Sequence, residues 1–131
     1  MLKPETNATG REVHVDSALF IGWGAAHAGR ERQSAELFTS SLAFFSRLLQ
    51  EGRIASFEPF FLEPHGGDLE GFIVLRGDQD ELAKIRVDDE FQRLSVRAQV
   101  VLANFGVVGA RTGDLLNKHM QWYVEASREI G

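Results

Sequence analysis

The chain has 131 residues, of which 44% are apolar and 25% charged, with a net charge of −5, a composition typical of one soluble globular domain. Acidic residues outnumber basic ones, which disfavours nucleic acid as a partner, and the lack of cysteine excludes disulfides and thiolate metal sites. No apolar run has the ~18 residues of a membrane span and no signal segment opens the chain, so we expect no membrane partner and a cytoplasmic location.

The first elements follow from polarity and period. Residues 1–16 are polar and contain proline and glycine, which predicts a flexible N-terminal arm ahead of a single domain over residues 17–131. The run from Ala18 to Gly24 is apolar on both alternating faces and predicts the first strand. From about Glu31 to Gln50 the apolar residues recur at three- and four-residue spacing, which predicts a helix.

Two strands joined by a polar turn are predicted next, from Ile54 to Leu62 and from Leu69 to Arg76. Pro59 lies inside the first of them, so we expect this strand to form an edge or a bulge of the sheet. The turn from Glu63 to Asp68 contains Gly66-Gly67, which can adopt positive φ angles and close a hairpin.

A second helix, a fourth strand and a closing helix complete the predicted order. Asp78 followed by Glu81 resembles a capping box at the start of the second helix, which we expect to bend or break near Asp88-Asp89. A long strand is predicted from Val96 to Val108, and a last helix is predicted to begin at Thr112.

The predicted order is the split βαβ of a ferredoxin-like α+β domain with an extra C-terminal helix. Two helices cover one face of such a sheet, and the other face of a monomer should be polar. These strands instead carry large apolar side chains on both faces, as Phe20 beside Ile21 and Phe72 beside Ile73 show. Such a patch usually marks an interface, so we expect a homodimer formed through the sheet faces. The alternative is a monomer whose closing helix covers the second face.

This element order, the two-sided sheet and the segment from Leu82 to Leu94, with Asp88-Asp89-Glu90-Phe91-Gln92-Arg93-Leu94 at its end, resemble the dimeric α+β barrel superfamily. That superfamily includes antibiotic-biosynthesis monooxygenases, YCII-related proteins, stress-responsive A/B barrel proteins and EthD-like proteins. The resemblance covers about residues 18–111 and implies two sheets packed face to face, with a small cavity beside each sheet. Members differ widely in function, so the resemblance transfers no activity.

Three residues are candidate catalytic proton-transfer groups. His65 lies beside carboxylates in the polar turn, and such a histidine can act as an acid or base near neutral pH, although a solvated hairpin tip is the alternative. His27 follows the first strand in a loop that could gate a cavity. Glu58 lies within an apolar strand, where it could serve as a base or pair with Arg97 across the sheet. No second histidine stands at ligand spacing and no glycine-rich nucleotide motif is present, so neither a metal nor another cofactor is predicted.

The candidate ligand-binding residues are aromatic and amide side chains: Trp23, Phe57, Phe72, Asn104 and Phe105. An aromatic wall with a few polar groups is typical of a small-molecule pocket, whereas the alternative for Trp23 is a core position with its indole N–H bonded to a carbonyl. Three functions stay open. The first is the binding of a small apolar or aromatic molecule, the second is a cofactor-independent monooxygenase or isomerase-like acid–base enzyme, and the third is a structural or regulatory interaction module.

Overall fold

The computed structural model describes residues 4–130, and these form short and long strands and four helices. In chain order they are β1 (Glu5–Thr6), β2 (Glu12–Val13), β3 (Ser17–Trp23), α1 (Glu31–Gln50), β4 (Ser56–Phe61), β5 (Gly71–Gly77), α2 (Gln79–Arg86), α3 (Asp89–Val101), β6 (Gly106–Arg111) and α4 (Gly113–Ile130). The main sheet is antiparallel throughout, in the order β4-β5-β3-β6. This is the ferredoxin-like order, and the predicted fold class is confirmed.

The inner face of the sheet carries the core. In the register of β3 and β5, Leu19 lies opposite Leu75 and Ile21 lies opposite Ile73, and all four are buried. They pack against buried side chains of α1, α2 and α3: Phe44, Phe45, Leu48, Leu82, Ile85 and Phe91. The buried sides of α1 and α2 therefore pack on the same face of the sheet. This agrees with the burial pattern of β3 and β5, in which every second residue is buried.

The outer face of the sheet is aromatic and uncovered. Phe60 and Phe72 are paired across β4 and β5 and stack at 4.7 Å between ring centroids, and Phe72 stacks on Phe20 of β3 at 4.9 Å. Gly22 leaves room for this row, because a Cβ at Gly22 would lie 2.7 Å from the Phe20 ring. Two-sided apolar strands are therefore present as predicted.

Residues 96–108, predicted as one long strand, instead contain the end of a helix and the start of a strand. The helix α3 continues to Val101, and β6 begins only at Gly106. Asp88, expected to break the second helix, is the N-cap of α3, and its carboxylate accepts a hydrogen bond from Glu90 N at 2.9 Å. Arg97 is consequently an exposed helical residue, so the predicted cross-sheet pair with Glu58 does not form.

The segment expected to be a flexible arm forms, from residue 5 onward, a small hairpin of β1 and β2 that is fixed to the body of the protein. Buried Asn7 donates from Nδ2 to the carbonyl oxygens of Leu49 (2.9 Å) and Ile54 (3.2 Å). Glu5 accepts two hydrogen bonds from the guanidinium of Arg76. Polar composition alone does not reveal such anchoring, because it depends on backbone carbonyls far along the chain. Residues 1–3 of the expected arm lie outside the described residues.

The closing helix begins where predicted but does not cover the outer face. None of the residues of α4 is buried, and the helix makes no more than marginal contact with the other elements. The monomer alternative, in which this helix folds over the sheet, is therefore not what the single chain adopts.

Candidate functional site

A cavity of about 440 Å³ lies between the inner face of the sheet and the helices α1 and α3. The sheet, both helices and the segment after α3 all contribute to its wall, with these main apolar residues: Ile21, Trp23, Leu37, Phe38, Phe45, Phe61, Ile73, Phe91, Leu94, Ala98, Leu102 and Phe105. Its volume falls within the range of about 300–1,000 Å³ found for small-molecule sites, and its wall is apolar and aromatic as those sites usually are.

Three aromatic rings from separate elements meet at the wall. The Trp23 indole contacts Phe38 edge-on at 6.1 Å and Phe61 edge-on at 6.3 Å, and Phe38 and Phe61 are 4.9 Å apart, centroid to centroid. Gly71 makes the position of Trp23 possible, because a Cβ there would lie 2.7 Å from the indole Cζ2. Phe61 is 70% exposed, so the cluster reaches from the cavity to the surface.

A small number of polar side chains also line the cavity: Glu31, Ser34, Thr39, Ser41 and Ser95. The hydroxyls of Thr39 and Ser41 donate to helix carbonyls one turn earlier, at 3.1 and 2.8 Å. Within the described residues, the side chains of Ser34 and Ser95 and the indole N–H of Trp23 make no hydrogen bond. These three groups are therefore the donors that a bound molecule could engage.

Backbone hydrogen bonds join the loop after β3 to the end of α3, next to the lining residues Trp23 and Leu102. The loop after β3 pairs with the end of α3, since Gly24 N donates to Ala103 O (2.7 Å) and Ala103 N donates to Ala25 O (2.8 Å). His27 N donates to Val101 O (2.9 Å), while the His27 side chain is exposed. The loop that carries the predicted gating residue is thus tied to the wall of the cavity.

The predicted ligand-binding residues are distributed over both sides of the sheet. Trp23 and Phe105 line the cavity. Phe57 packs on Phe45 beneath the sheet, outside the cavity lining. Phe72 lies in the aromatic row of the outer face. Asn104 is exposed in the turn before β6 with a φ of 55°, a left-handed conformation that asparagine tolerates better than most residues.

The three predicted catalytic residues lie outside the cavity lining. The His65 ring is bound within the hairpin, where Nε2 is 2.7 Å from Leu69 O and Nδ1 accepts from Gly67 N at 3.2 Å. These are the contacts of a hairpin tip. Glu58 is exposed on β4, in the same cross-strand row as Val74 and Phe20 of the outer face. The structure does not bring His65, Glu58 and His27 together in the cavity.

Several wall residues were not selected from the sequence. Phe38, Ser34 and Glu31 come from one side of α1, and Ser95 comes from α3, a segment that we expected to begin a strand. The only sequence signal for the α1 residues is their three- to four-residue spacing, which also describes an ordinary core stripe. The relative position of α1 and α3 decides which of these side chains face the cavity.

An exposed ion pair joins the two helical walls. Arg47 of α1 donates to the carboxylate of Glu90 at the start of α3. This hydrogen bond to Glu90 is the main reason that the pKa of Arg47 is raised. Arginine is charged at all ordinary pH values in any environment, so the link between the helices does not titrate on the arginine side.

Within residues 4–130, one group of side chains has the spacing of a metal site, namely His14, Asp16 and Asp78. Both carboxylates are already used at the start of α2. Asp78 accepts from Asp80 N and Glu81 N, and Asp16 accepts from Gln79 N at 2.9 Å. The cluster is explained as helix capping, and it lies away from the cavity lining.

No family model matches the sequence, and no curated protein matches it. Solved structures do match its fold. A dimeric ferredoxin-like protein of unknown function from Bacteroides fragilis is 9% identical, with a TM-score of 0.54 over 73% of this chain and 96% of its own. An ethyl tert-butyl ether D (EthD) family protein from Bacillus halodurans is 8% identical, with a TM-score of 0.57 over 75% of this chain and 99% of its own.

A variant of SnoaB, a cofactor-independent oxygenase from Streptomyces nogalater, is also similar, at 16% identity and a TM-score of 0.52, covering 76% of this chain and 97% of its own. At these identities the likeness shows the fold. The ferredoxin-like fold that the resemblance implied is therefore confirmed, with no particular family singled out. No helix among the described residues is both long and apolar enough to cross a membrane.

Proposed function

We propose that this protein binds a small apolar or aromatic molecule in the cavity between the sheet and α1 and α3. The observation that carries the proposal is the cavity itself, about 440 Å³ bounded by Trp23, Phe38, Phe61 and Phe105 and by few polar groups. A cavity that side chains filled would have favoured a purely structural module. The hydroxyls of Ser34 and Ser95 suit a ligand with one or two polar substituents, such as a phenol or a quinone.

The proposal includes a homodimer formed through the outer faces of the two sheets. The support is the uncovered row of Phe20, Phe72 and Phe60, together with Val108, which is 59% exposed. The similar protein from Bacteroides fragilis is itself described as dimeric. A second copy covers the face symmetrically without requiring any other protein. We also propose a cytoplasmic location, which cell fractionation can check.

Tryptophan fluorescence gives a direct test of ligand binding. The sequence has two tryptophans, and Trp122 is exposed on α4, so a Trp122→Phe variant leaves Trp23 as the only reporter. Titration of this variant with 1-naphthol, and separately with a three-ring quinone, should quench or shift Trp23 emission with saturation. Native mass spectrometry of the same sample should show one bound molecule per chain.

Wall substitutions separate binding in the cavity from adsorption to the outer face. Phe38→Ala should weaken the fluorescence-detected affinity about tenfold or more, because an aromatic wall is lost and the truncation leaves extra void volume. Phe72→Ala removes a similar ring from the outer face. Because Phe72 does not line the cavity, the affinity should stay within about twofold, well below the tenfold change that corresponds to 1.4 kcal/mol. Equal weakening by both variants, or no saturable signal with either compound, would contradict the proposal.

A second candidate function is acid–base catalysis on the bound molecule. The observation that favours it is Glu31, the one titratable group among the lining residues, at the start of α1 beside the open cavity. A general base must come within about 2.6–3.2 Å of the proton that it removes. In an isomerisation the Glu31 carboxylate would take a proton from an acidic C–H of the ligand and return it at another carbon. From the residues that the structure describes, Glu31 accepts only a long hydrogen bond, from Gly29 N at 3.4 Å, so it is available for this role.

The catalytic candidate is tested with Glu31→Gln and a matched control, Glu36→Gln, which changes an exposed carboxylate of α1 that does not line the cavity. Exchange of an acidic C–H of a bound ketone with deuterated solvent should fall about 100-fold or more in Glu31→Gln, in keeping with the usual contribution of a general base, and remain unchanged in the control. Uptake of oxygen during the reaction would indicate an oxygenase. Unchanged exchange in both variants would remove the catalytic candidate.

A further inference from the structure

The closing helix α4 has an apolar side that the other described residues leave mostly exposed. Projected at the helical period, most of its large apolar side chains fall on one side, together with His119: Leu115, Leu116, Met120, Trp122, Tyr123 and Ile130. Val124 lies outside this side. Asn117, Gln121, Glu125 and Arg128 fall on the other side. Tyr123 is 70% exposed, and no residue of the helix is buried. Most of the stability of a helix in a protein comes from packing of its apolar side. The described part of the chain, residues 4–130, does not supply this packing to α4.

The area of the uncovered surfaces indicates how much contact a partner must supply. Four strands at ~4.8 Å spacing and about six residues at ~3.4 Å rise make an outer face of roughly 400 Å². A stable protein–protein interface usually buries about 800 Å² on each partner. The sheet face alone is therefore small. The apolar side of α4, which spans 18 residues, adds an area about 27 Å long and ~10 Å wide, which brings the total close to the usual value.

The two surfaces are adjacent in the chain. Only Thr112 separates β6, whose Val108 and Ala110 share the cross-strand rows of the outer face, from the start of α4. Thr112 N is anchored to Asp16 O at 2.9 Å, which fixes where the helix leaves the sheet. A partner seated on the outer face is therefore placed beside the origin of α4.

The charge of α4 selects among the possible occupants. The helix carries two basic residues, Lys118 and Arg128, and three acidic residues, Asp114, Glu125 and Glu129. Helices that lie on membrane surfaces are rich in lysine and arginine on their polar side, so a membrane does not fit. A second copy of this chain does fit, because one symmetric association covers the sheet face and the helix of both copies together.

We propose that α4 is an exchanged arm, whose apolar side packs against the second copy of the chain in the homodimer. The inference rests on the proposed homodimer and adds to it a second contact region, centred on Tyr123. In this arrangement α4 is stabilised only in the dimer. Loss of the sheet contact and loss of the arm contact should therefore weaken association separately.

Matched charge substitutions test the contribution of the arm to association. Tyr123→Glu places a charge on the apolar side, and Gln121→Glu places the same charge on the opposite side. Sedimentation should show the dimer dissociation constant raised at least about tenfold by Tyr123→Glu, because truncation of a central aromatic anchor commonly costs this much or more, and left within about twofold by Gln121→Glu. A similar effect of both variants, or of neither, would overturn the proposal.

A photo-cross-linking amino acid at position 123 identifies what the arm touches. The experiment uses dimers assembled from a mixture of ¹⁴N-labelled and ¹⁵N-labelled chains. Cross-linked peptides that contain one light and one heavy partner establish contact with the second copy. Cross-links only within one chain would show that the helix folds back, and cross-links to lipid or to a different protein in cells would identify another occupant; either result overturns the proposal.

Different experimental results would refute the exchanged arm and the sheet-face homodimer. A dimer whose α4 amide hydrogens exchange as fast as those of an unfolded peptide would refute the arm and leave the sheet-face homodimer intact. A monomer at all concentrations would refute the homodimer and the arm together. Saturable quenching of Trp23 by a ligand is measured independently of both, so ligand binding can stand or fall alone.

Discussion

At the scale of single residues, the cavity depends on where small residues leave space for large ones. Gly71 sits under the Trp23 indole, and a Cβ at this position would also lie close to the Phe60 carbonyl oxygen. Any side chain at position 71 must displace the ring, the neighbouring strand, or both. Trp23 was identified from the sequence as a wall residue, but the need for a glycine across from it was not, because the cross-strand register that pairs them is set by the whole sheet.

We predict that Gly71→Ala lowers the free energy of unfolding by about 1–3 kcal/mol, the usual cost of overpacking. The added Cβ would lie 2.6 Å from Phe60 O and 2.7 Å from Trp23 Cζ2. Urea denaturation at one fixed protein concentration measures the change, and Trp23 emission should shift as well. Gly106→Ala is the control, because a Cβ at Gly106 meets nothing within 4 Å. Equal stability of the two variants would show that the clash is relieved without cost.

At the scale of elements, the sequence predicted most of the fold and misplaced one segment. Period and capping signals identified β3, α1, β4, β5, α2 and the beginning of α4. The error concerned residues 96–108, where Val96, Val100 and Val101 favour a strand by composition. Phe91, Ala98 and Val101 are nevertheless buried at helical spacing against α1. Tertiary packing on α1 therefore outweighed local β propensity, and this outcome created the second helical wall of the cavity.

The same segment gives a prediction about its N-cap. Asp88→Ala removes the carboxylate that accepts from Glu90 N, and it should destabilise the protein by about 1 kcal/mol, or about 3–5 °C in melting temperature for a chain of this size. Asp88→Asn retains a capping oxygen and should remain near the wild-type value. Thermal unfolding followed by circular dichroism distinguishes them. If both variants melted alike, the start of α3 would owe its position to Phe91 packing and not to the cap.

At the scale of the whole molecule, the cavity and the outer face lie on opposite sides of one sheet. The cavity wall collects residues from six parts of the chain, namely β3, α1, β4, β5, α3 and the segment after α3. Its volume follows from how α1 and α3 pack, which the sequence alone does not specify. The outer face, in contrast, was predictable, because alternation along a strand assigns each residue to a face. The proposed ligand binding on one side and the proposed association on the other can therefore be altered separately by substitution.

We predict that Phe72→Glu converts the proposed homodimer to a monomer at micromolar concentration. Phe72 is the centre of the outer aromatic row, in contact with both Phe20 and Phe60, and losing such an anchor commonly costs 2 kcal/mol or more, which raises the dissociation constant roughly 30-fold. Val87→Glu adds the same charge at a residue that is 73% exposed at the end of α2. Small-angle scattering should report a monomer only for the first variant. A dimer that persists in Phe72→Glu would place the interface elsewhere.

Pro59 has a consequence for how copies of this chain can associate. Leu62 N donates to Glu70 O, so by the antiparallel alternation the backbone groups of odd-numbered residues in β4 point away from β5, toward the open edge of the sheet. Pro59 therefore removes a donor from the middle of that edge. An incoming strand finds no continuous ladder there, which disfavours strand addition and fibril growth from this side. Open-ended polymerisation is opposed at this edge, whereas stacking of faces, which closes after two copies, is not.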